Sequence, residues 1–350
     1  MSAGNHSVKS RDIGLDGLRI IGLLAIILAH VNPPDVLFQI RNFDVPLMVF
    51  ISGVVYQMSS GTNKPYLSYI WSRVKRLLLP TWTFLILYYL IIACISVLSY
   101  TAFPYSVETM LSSFALLEGF GYVWIIRVFI LVALIAPLFI YLSKQIKSRY
   151  LYGGLLLVLY IVYEVAYNMI GTVGGYFSFL FTDILYYLMP YGIITGLAIL
   201  AAKVAKKYVV LLGTMFICTY IVIAYASAQP DYVSTQIAKY PPTLYYVSYA
   251  MGVSFVLFAI SKTSVFQKMF DKPLLLFISA SSLWIYLWHI LYLYLWKLYV
   301  PSSISFTIQF FIVLTLAIAT TYLQKKCIRV IIDKVTNSYV RAWLSDALLK

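Results

Sequence analysis

Long apolar runs separated by short polar stretches recur along the chain from residue 15 to residue 323. Each run is continuously apolar and lacks the apolar–polar alternation of outer-membrane β-strands. A helix needs about 17–25 such residues to cross a bilayer. The pattern predicts ten spanning helices, at residues 15–31, 43–58, 80–98, 122–142, 151–170, 183–202, 208–226, 244–261, 274–298 and 305–323. The shortest, residues 43–58, is also compatible with a re-entrant or buried core helix.

The composition agrees with a membrane location for the whole chain. Of the 350 residues, 62% are hydrophobic and 11% are charged. Water-soluble domains have about 45–50% apolar and about 25% charged residues, so that class is excluded. We therefore expect an all-α, polytopic integral membrane protein with one domain over residues 1–350, a helical core at about residues 15–323 and short tails.

The formal charge of +14 raises nucleic-acid binding as a first idea, but the positions of the basic residues favour a role in membrane orientation. With the N-terminus inside, 22 Lys and Arg residues fall in inner segments and three, Arg41, Lys239 and Lys297, fall in outer ones. The remaining cation, Arg127, lies within the fourth predicted helix. This asymmetry supports the count of ten helices and predicts that both termini are cytoplasmic.

Ionisable residues in membrane helices are costly and therefore suggest function. The first predicted helix contains Asp16, Arg19 and His30. Arg19 and His30 lie eleven residues apart, or about three turns, so they share one helix face. Arg19 could instead act only as an orientation signal, and His30 as an interfacial residue.

Three further groups carry candidate chemistry. Arg73 and Arg76, one helical turn apart in the inner loop before the third helix, suit phosphate groups, although positive-inside orientation alone would also explain them. Arg127 needs a polar cavity or an acidic partner, and Glu164 and Asp183 are available. His289 suits a structural hydrogen bond between helices at least as well as catalysis. No Cys/His spacing indicates a metal site.

Four motifs then resemble the acyltransferase-3 family of integral-membrane acyltransferases. Residues 11–19 lead to His30 with the family's ten-residue gap after Arg19. Residues 45–53 resemble its phenylalanine-rich Ser-Gly segment, with Val49 in place of a common aromatic residue. Arg73-x-x-Arg76 followed by Leu-Leu-Leu-Pro resembles its paired-arginine motif, and residues 282–289 its ninth-helix segment.

The resemblance implies transfer of an acyl group, usually acetyl from acetyl-coenzyme A, to a carbohydrate hydroxyl. It implies that Arg19, Arg73 and Arg76 hold the anionic donor and that His30 is the essential base or a covalent acyl relay. Asp16, Arg127, Glu164 and His289 are possible supporting residues. No permanently bound cofactor is expected.

The leading hypothesis is a bacterial inner-membrane O-acyltransferase, with acetyl-coenzyme A as the expected donor, that acts on a surface or exported polysaccharide, or on its lipid-linked precursor. Its expected partners are acyl-coenzyme A, a carbohydrate acceptor and the lipid bilayer, without nucleic acid. One alternative is a transporter of a glycan or lipid-linked sugar, which needs polar residues at membrane depth but no thioester site. Another is a structural partner of a polysaccharide export complex.

Overall fold

The computed structural model describes residues 11–59, 65–117, 119–170, 178–227 and 233–349. Over these ranges the chain is helical and forms no β-strand, which confirms the predicted all-α class. The α-helices are α1 (Ile13–Ala29), α2 (Asp35–Ile40), α3 (Asp44–Ser59), α4 (Tyr66–Leu98), α5 (Val107–Phe114), α6 (Trp124–Gln145), α7 (Arg149–Ile170), α8 (Tyr186–Ala201), α9 (Lys206–Ser227), α10 (Leu244–Ser261), α11 (Ser264–Phe270), α12 (Pro273–Ala280), α13 (Ser282–Tyr299), α14 (Phe306–Lys334) and α15 (Ser338–Leu344). Short π-helical segments, Leu180–Leu185 and Ser345–Leu349, precede α8 and follow α15.

The longer of these helices are apolar enough to cross a membrane. Within the described residues eight segments qualify, one of them being α2 and α3 together, and the bent pair α12–α13 would make a ninth. Helix α1 has 17 residues, at the lower limit of spanning length. The predicted number of ten spans, and the side on which the termini lie, stay predictions.

Helix α1 lies inside the bundle and contacts α3, α10, α11, α12 and α13. Its start is capped by the Asp12 side chain, which accepts a hydrogen bond of 3.1 Å from the main-chain N–H of Leu15. Leu18, Leu23 and Ile27 on this helix are almost fully buried. A helix that is apolar on nearly all sides is typical of such an interior position.

Helix α3 packs closely against α8 at Gly53. A Cβ atom at Gly53 would lie 2.7 Å from the Cβ of Ala198 and 3.0 Å from the carbonyl oxygen of Thr195. Small residues permit this close approach between membrane helices. The Ser-Gly segment noted in the sequence is therefore a packing site of α3.

Three sequence-based boundaries are wrong. Helix α14 continues to Lys334, well past the predicted end at residue 323. Arg73 and Arg76 lie within α4, which begins at Tyr66, and not in a loop before it. The stretch at residues 274–298 is not one straight helix, because it breaks at Ser281 and the two parts are bent by 79°. Ser281 has φ −116° and ψ 11°, outside helical geometry, which leaves the first N–H groups of α13 without intrahelical partners.

Candidate active site

The three predicted donor-binding arginines line one cavity of about 620 Å³, here called the basic cavity. Arg19 comes from α1, whereas Arg73 and Arg76 come from α4. Lys325 and Arg329 of α14 line the same cavity, and none of its described lining residues is acidic. Sequence reasoning counted these two residues only as part of a basic tail, although their spacing of four residues places them on one helix face.

A network around Asp16 positions Arg19. The Nη1 of Arg19 donates to Asp16 Oδ1 and to Ser279 Oγ, each at 2.9 Å. Ser279 Oγ in turn donates to Asp16 Oδ1 at 2.6 Å, and Arg11 forms an ion pair with the same carboxylate. Asp16 is 6% exposed, and its hydrogen bond with Ser279 links α1 to α12 inside the protein. The structure thus gives Asp16 contacts suited to holding Arg19 in place.

A second cavity, of about 750 Å³, shares Tyr56, Arg73 and Arg76 with the basic cavity. We call it the vestibule. Lys75 and Lys144 add positive charge to its lining. Because the paired arginines border both spaces, a long polyanionic ligand can contact them while extending into each.

The break before α13 also faces the basic cavity, which Ser279, Ala280, Ser282 and Leu283 line. Unpaired N–H groups and the helix dipole make a helix N-terminus favourable for anions. Irregular backbone at membrane depth is tolerated where it lines a cavity. The bend therefore brings the last turn of α12 and the first turn of α13 to the wall of a cavity that five cationic side chains line.

His30 and His289 form a hydrogen-bonded pair. The Nδ1 of His30 lies 3.0 Å from Nε2 of His289. The Nδ1 of His289 hydrogen-bonds the main-chain carbonyl of Tyr286. Because a carbonyl oxygen only accepts, we assign the proton of His289 to Nδ1, which leaves a lone pair at its Nε2. His30 then donates from Nδ1, which leaves the basic lone pair of His30 on its Nε2.

His30 lines a small chamber of about 110 Å³ between two larger cavities. The chamber shares Ile26, Ile125 and Tyr286 with the basic cavity. It shares Trp124 and Tyr240 with a pocket at the other end. The helix face predicted to carry Arg19 and His30 thus borders the basic cavity at one end and the histidine chamber at the other.

Sequence reasoning missed a buried charge cluster beside His30. Arg41, Asp44 and Lys239 line the chamber and are 4%, 2% and 3% exposed. Asp44 accepts from Arg41 Nη1 at 2.8 Å and from Lys239 Nζ at 3.1 Å. Burial lowers the pKa of Lys239 from its ordinary value, against the opposing effect of Asp44. The i,i+3 spacing of Arg41 and Asp44 could have indicated their ion pair. No local pattern indicates that Lys239, which is distant in sequence, joins them.

The pocket at the other end has a volume of about 810 Å³ and is called the aromatic pocket. Its lining combines rings, including Trp124 and Tyr187, with an ion pair between Arg127 Nη1 and Asp183 Oδ1 at 2.6 Å. Asp183 lies in the π-helical segment before α8. Of the two acidic partners considered for Arg127, Glu164 lies elsewhere and accepts hydrogen bonds from the main-chain N–H of Leu244.

The bundle of apolar helices encloses a basic cavity, a histidine chamber and an aromatic pocket, an arrangement that can accommodate two substrates of a membrane-embedded group-transfer enzyme. The family model described as an acyltransferase domain, that of the acyltransferase-3 family, matches residues 12–323. The chain belongs to this family, and it is a membrane acyltransferase. No curated protein and no solved structure gave a match.

Proposed function

We propose that this acyltransferase transfers acetyl from acetyl-coenzyme A to a hydroxyl of a surface or exported polysaccharide, or of its lipid-linked precursor, in a bacterial inner membrane. The observation that carries the proposal is the position of His30 in a small chamber between the basic cavity and the aromatic pocket. A donor from one side and an acceptor from the other can meet at this chamber, because it shares lining residues with both spaces.

The donor's phosphate groups bind at the guanidinium groups of Arg73 and Arg76, with Arg19 and the first turn of α13 contributing further positive charge. Guanidinium groups bind phosphate oxygens in bidentate fashion and stay charged. Two spaces of about 750 and 620 Å³ border the paired arginines, which suits a nucleotide part in the vestibule and a thioester arm in the basic cavity.

His30 acts as a general base through Nε2. It takes the proton of the acceptor hydroxyl while the hydroxyl oxygen bonds to the thioester carbonyl carbon. The carbon–sulfur bond then breaks, and His30 returns the proton to the departing thiolate of coenzyme A. A covalent relay, in which Nε2 itself carries the acetyl group, uses the same nitrogen and would leave a trappable acyl-enzyme.

The acceptor binds in the aromatic pocket. Rings such as Trp124 and Tyr187 provide flat apolar faces for sugar rings, and the Arg127–Asp183 pair provides hydrogen-bonding groups for hydroxyls. A volume of about 810 Å³ lies in the usual range of ligand pockets.

The test separates donor binding from transfer. Arg73→Ala and Arg76→Ala should weaken binding of acetyl-coenzyme A by about 1.5–3 kcal/mol per lost charge-assisted bond, as measured by calorimetry on protein in nanodiscs. His30→Ala and His30→Gln should bind the donor nearly as wild type but abolish transfer of radiolabelled acetyl to glycan in vesicles, since neither residue accepts the proton at neutral pH.

Arg149→Ala is the matched control, because it removes an inner arginine that lines neither the basic cavity nor the vestibule. It should change neither donor affinity nor transfer. Unchanged donor affinity in both α4 variants would overturn the donor site, and near-normal transfer by His30→Ala would remove His30 from the mechanism. A wild-type protein that moves a glycan without consuming acetyl-coenzyme A would be a transporter.

A further inference from the structure

The charge cluster beside His30 is not electrically balanced. Among the described residues that line the chamber, Arg41 and Lys239 are cationic and Asp44 is the one acidic residue, which leaves a formal surplus of one positive charge. All three side chains are almost fully buried. A buried charge without a partner is costly, so proteins usually pair such charges.

One donor of the cluster has no hydrogen-bond partner in the described part of the protein, although Lys239 Nζ also donates to Asn42 Oδ1 at 3.3 Å and the Arg41 guanidinium lies 3.7 Å from the centroid of the Phe38 ring. The Nε atom of Arg41 is buried and donates no hydrogen bond, and Asp44 contacts Arg41 through Nη1. Asp44 also accepts from Lys239 and from the main-chain N–H of Val45. Its carboxylate is therefore shared between two cations and cannot neutralise both.

The size of the chamber limits the groups that can carry a negative charge into it. Its volume of about 110 Å³ is close to that of about four waters in the liquid. An acetyl group fits this volume, whereas a whole nucleotide is larger. The chamber therefore suits a negative charge that forms on a small acyl group at His30 during reaction.

We propose that Arg41 and Lys239 form the oxyanion site of the reaction. This inference rests on the proposed acetyl transfer. When the acceptor oxygen bonds to the thioester carbon, the carbonyl π-electron pair moves onto the carbonyl oxygen, which becomes negatively charged, and the hydroxyl proton goes to His30. The surplus charge of the cluster stabilises this oxygen until the carbon–sulfur bond breaks and the thiolate takes the proton from His30. Fixed charges aimed at a developing oxyanion are among the strongest contributors to catalysis.

Lys239→Met tests the inference, because it removes the surplus while leaving Arg41 and Asp44 as a neutral buried pair. Loss of one oxyanion donor typically lowers turnover by about 10²–10³-fold. We therefore expect kcat for acetyl transfer in vesicles to fall by about that factor, with KM for acetyl-coenzyme A and thermal stability close to wild type. Lys297→Met, which removes an exposed cation predicted to lie on the same side, is the matched control.

The double variant Lys239→Met/Asp44→Asn restores the surplus through Arg41 alone. An oxyanion site predicts that its kcat recovers by about tenfold or more over Lys239→Met. A purely structural ion-pair network predicts that the double variant is less active than Lys239→Met, because the double variant leaves Arg41 buried without a counter-charge.

Four results overturn the inference: turnover of Lys239→Met within tenfold of wild type, a rise in acceptor KM with unchanged kcat, a marked loss of thermal stability in Lys239→Met, or a double variant less active than the single one. The measurement of thermal stability does not depend on turnover, so it tests the charge surplus independently of catalysis. A wild-type protein that consumes no acetyl-coenzyme A would instead refute the proposed function.

Discussion

Replacing His289 tests whether the histidine pair sets the protonation of His30. His289 is fully buried, and its two ring nitrogens connect His30 Nδ1 to the carbonyl of Tyr286. His289→Leu removes the acceptor of the His30 Nδ1 proton, so a buried donor loses its partner. His289→Gln can preserve both hydrogen bonds, because the amide oxygen can accept from His30 and the amide nitrogen can donate to the carbonyl of Tyr286.

The magnitude follows from that hydrogen bond. An unsatisfied buried donor costs about 1–3 kcal/mol, which corresponds to about 5–150-fold in the population of the productive tautomer and orientation. Removing the partner that orients a functional histidine at metal sites costs about 10–100-fold. We therefore expect His289→Leu to lower acetyl transfer by about 10–100-fold and His289→Gln to stay within about tenfold of wild type.

The assay is transfer of radiolabelled acetyl to glycan in membrane vesicles, with protein amounts matched by immunoblot. Tyr292→Phe is the control on the same helix, since it removes a hydrogen bond to Thr320 and should leave transfer near wild type. Wild-type activity in His289→Leu would refute the orienting role. A His289→Gln variant as inactive as His30→Ala would show that the reacting proton passes through His289.

Two other predictions concern the inner side and the topology. Asp346→Asn removes a negative charge that pairs with Lys75 at 2.8 Å in the vestibule, so acetyl-coenzyme A should bind more tightly; equal or weaker binding in calorimetry would contradict this. Cysteines introduced at Ser112 and Ser234 should react with an impermeant thiol reagent in intact cells, whereas one at Ser148 should react only after permeabilisation, and the opposite pattern would refute the predicted orientation.

Much of the site could be inferred from local sequence because its parts lie on single helices. The eleven-residue separation of Arg19 and His30 fixes their common face, and the structure places that face along the basic cavity and the chamber. The one-turn spacing of Arg73 and Arg76 was enough to predict that their side chains lie together, and both line the basic cavity. For Arg127 the sequence offered two acidic partners, Glu164 on α7 and Asp183 in the segment before α8. Only the packing of these elements shows that Asp183 forms the ion pair.

Apolar runs, their lengths and the positions of Lys and Arg were enough to predict an all-helical membrane protein, because the bilayer imposes simple rules on every spanning segment. Contacts between distant segments were beyond those rules. The pairing of His30 with His289 joins residues 259 positions apart, and that of Asp44 with Lys239 joins residues 195 apart. In both cases residues that are isolated in the sequence become a hydrogen-bonded histidine pair and a buried charge cluster, because helix packing removes them from lipid and water and brings their polar groups within hydrogen-bond distance of each other.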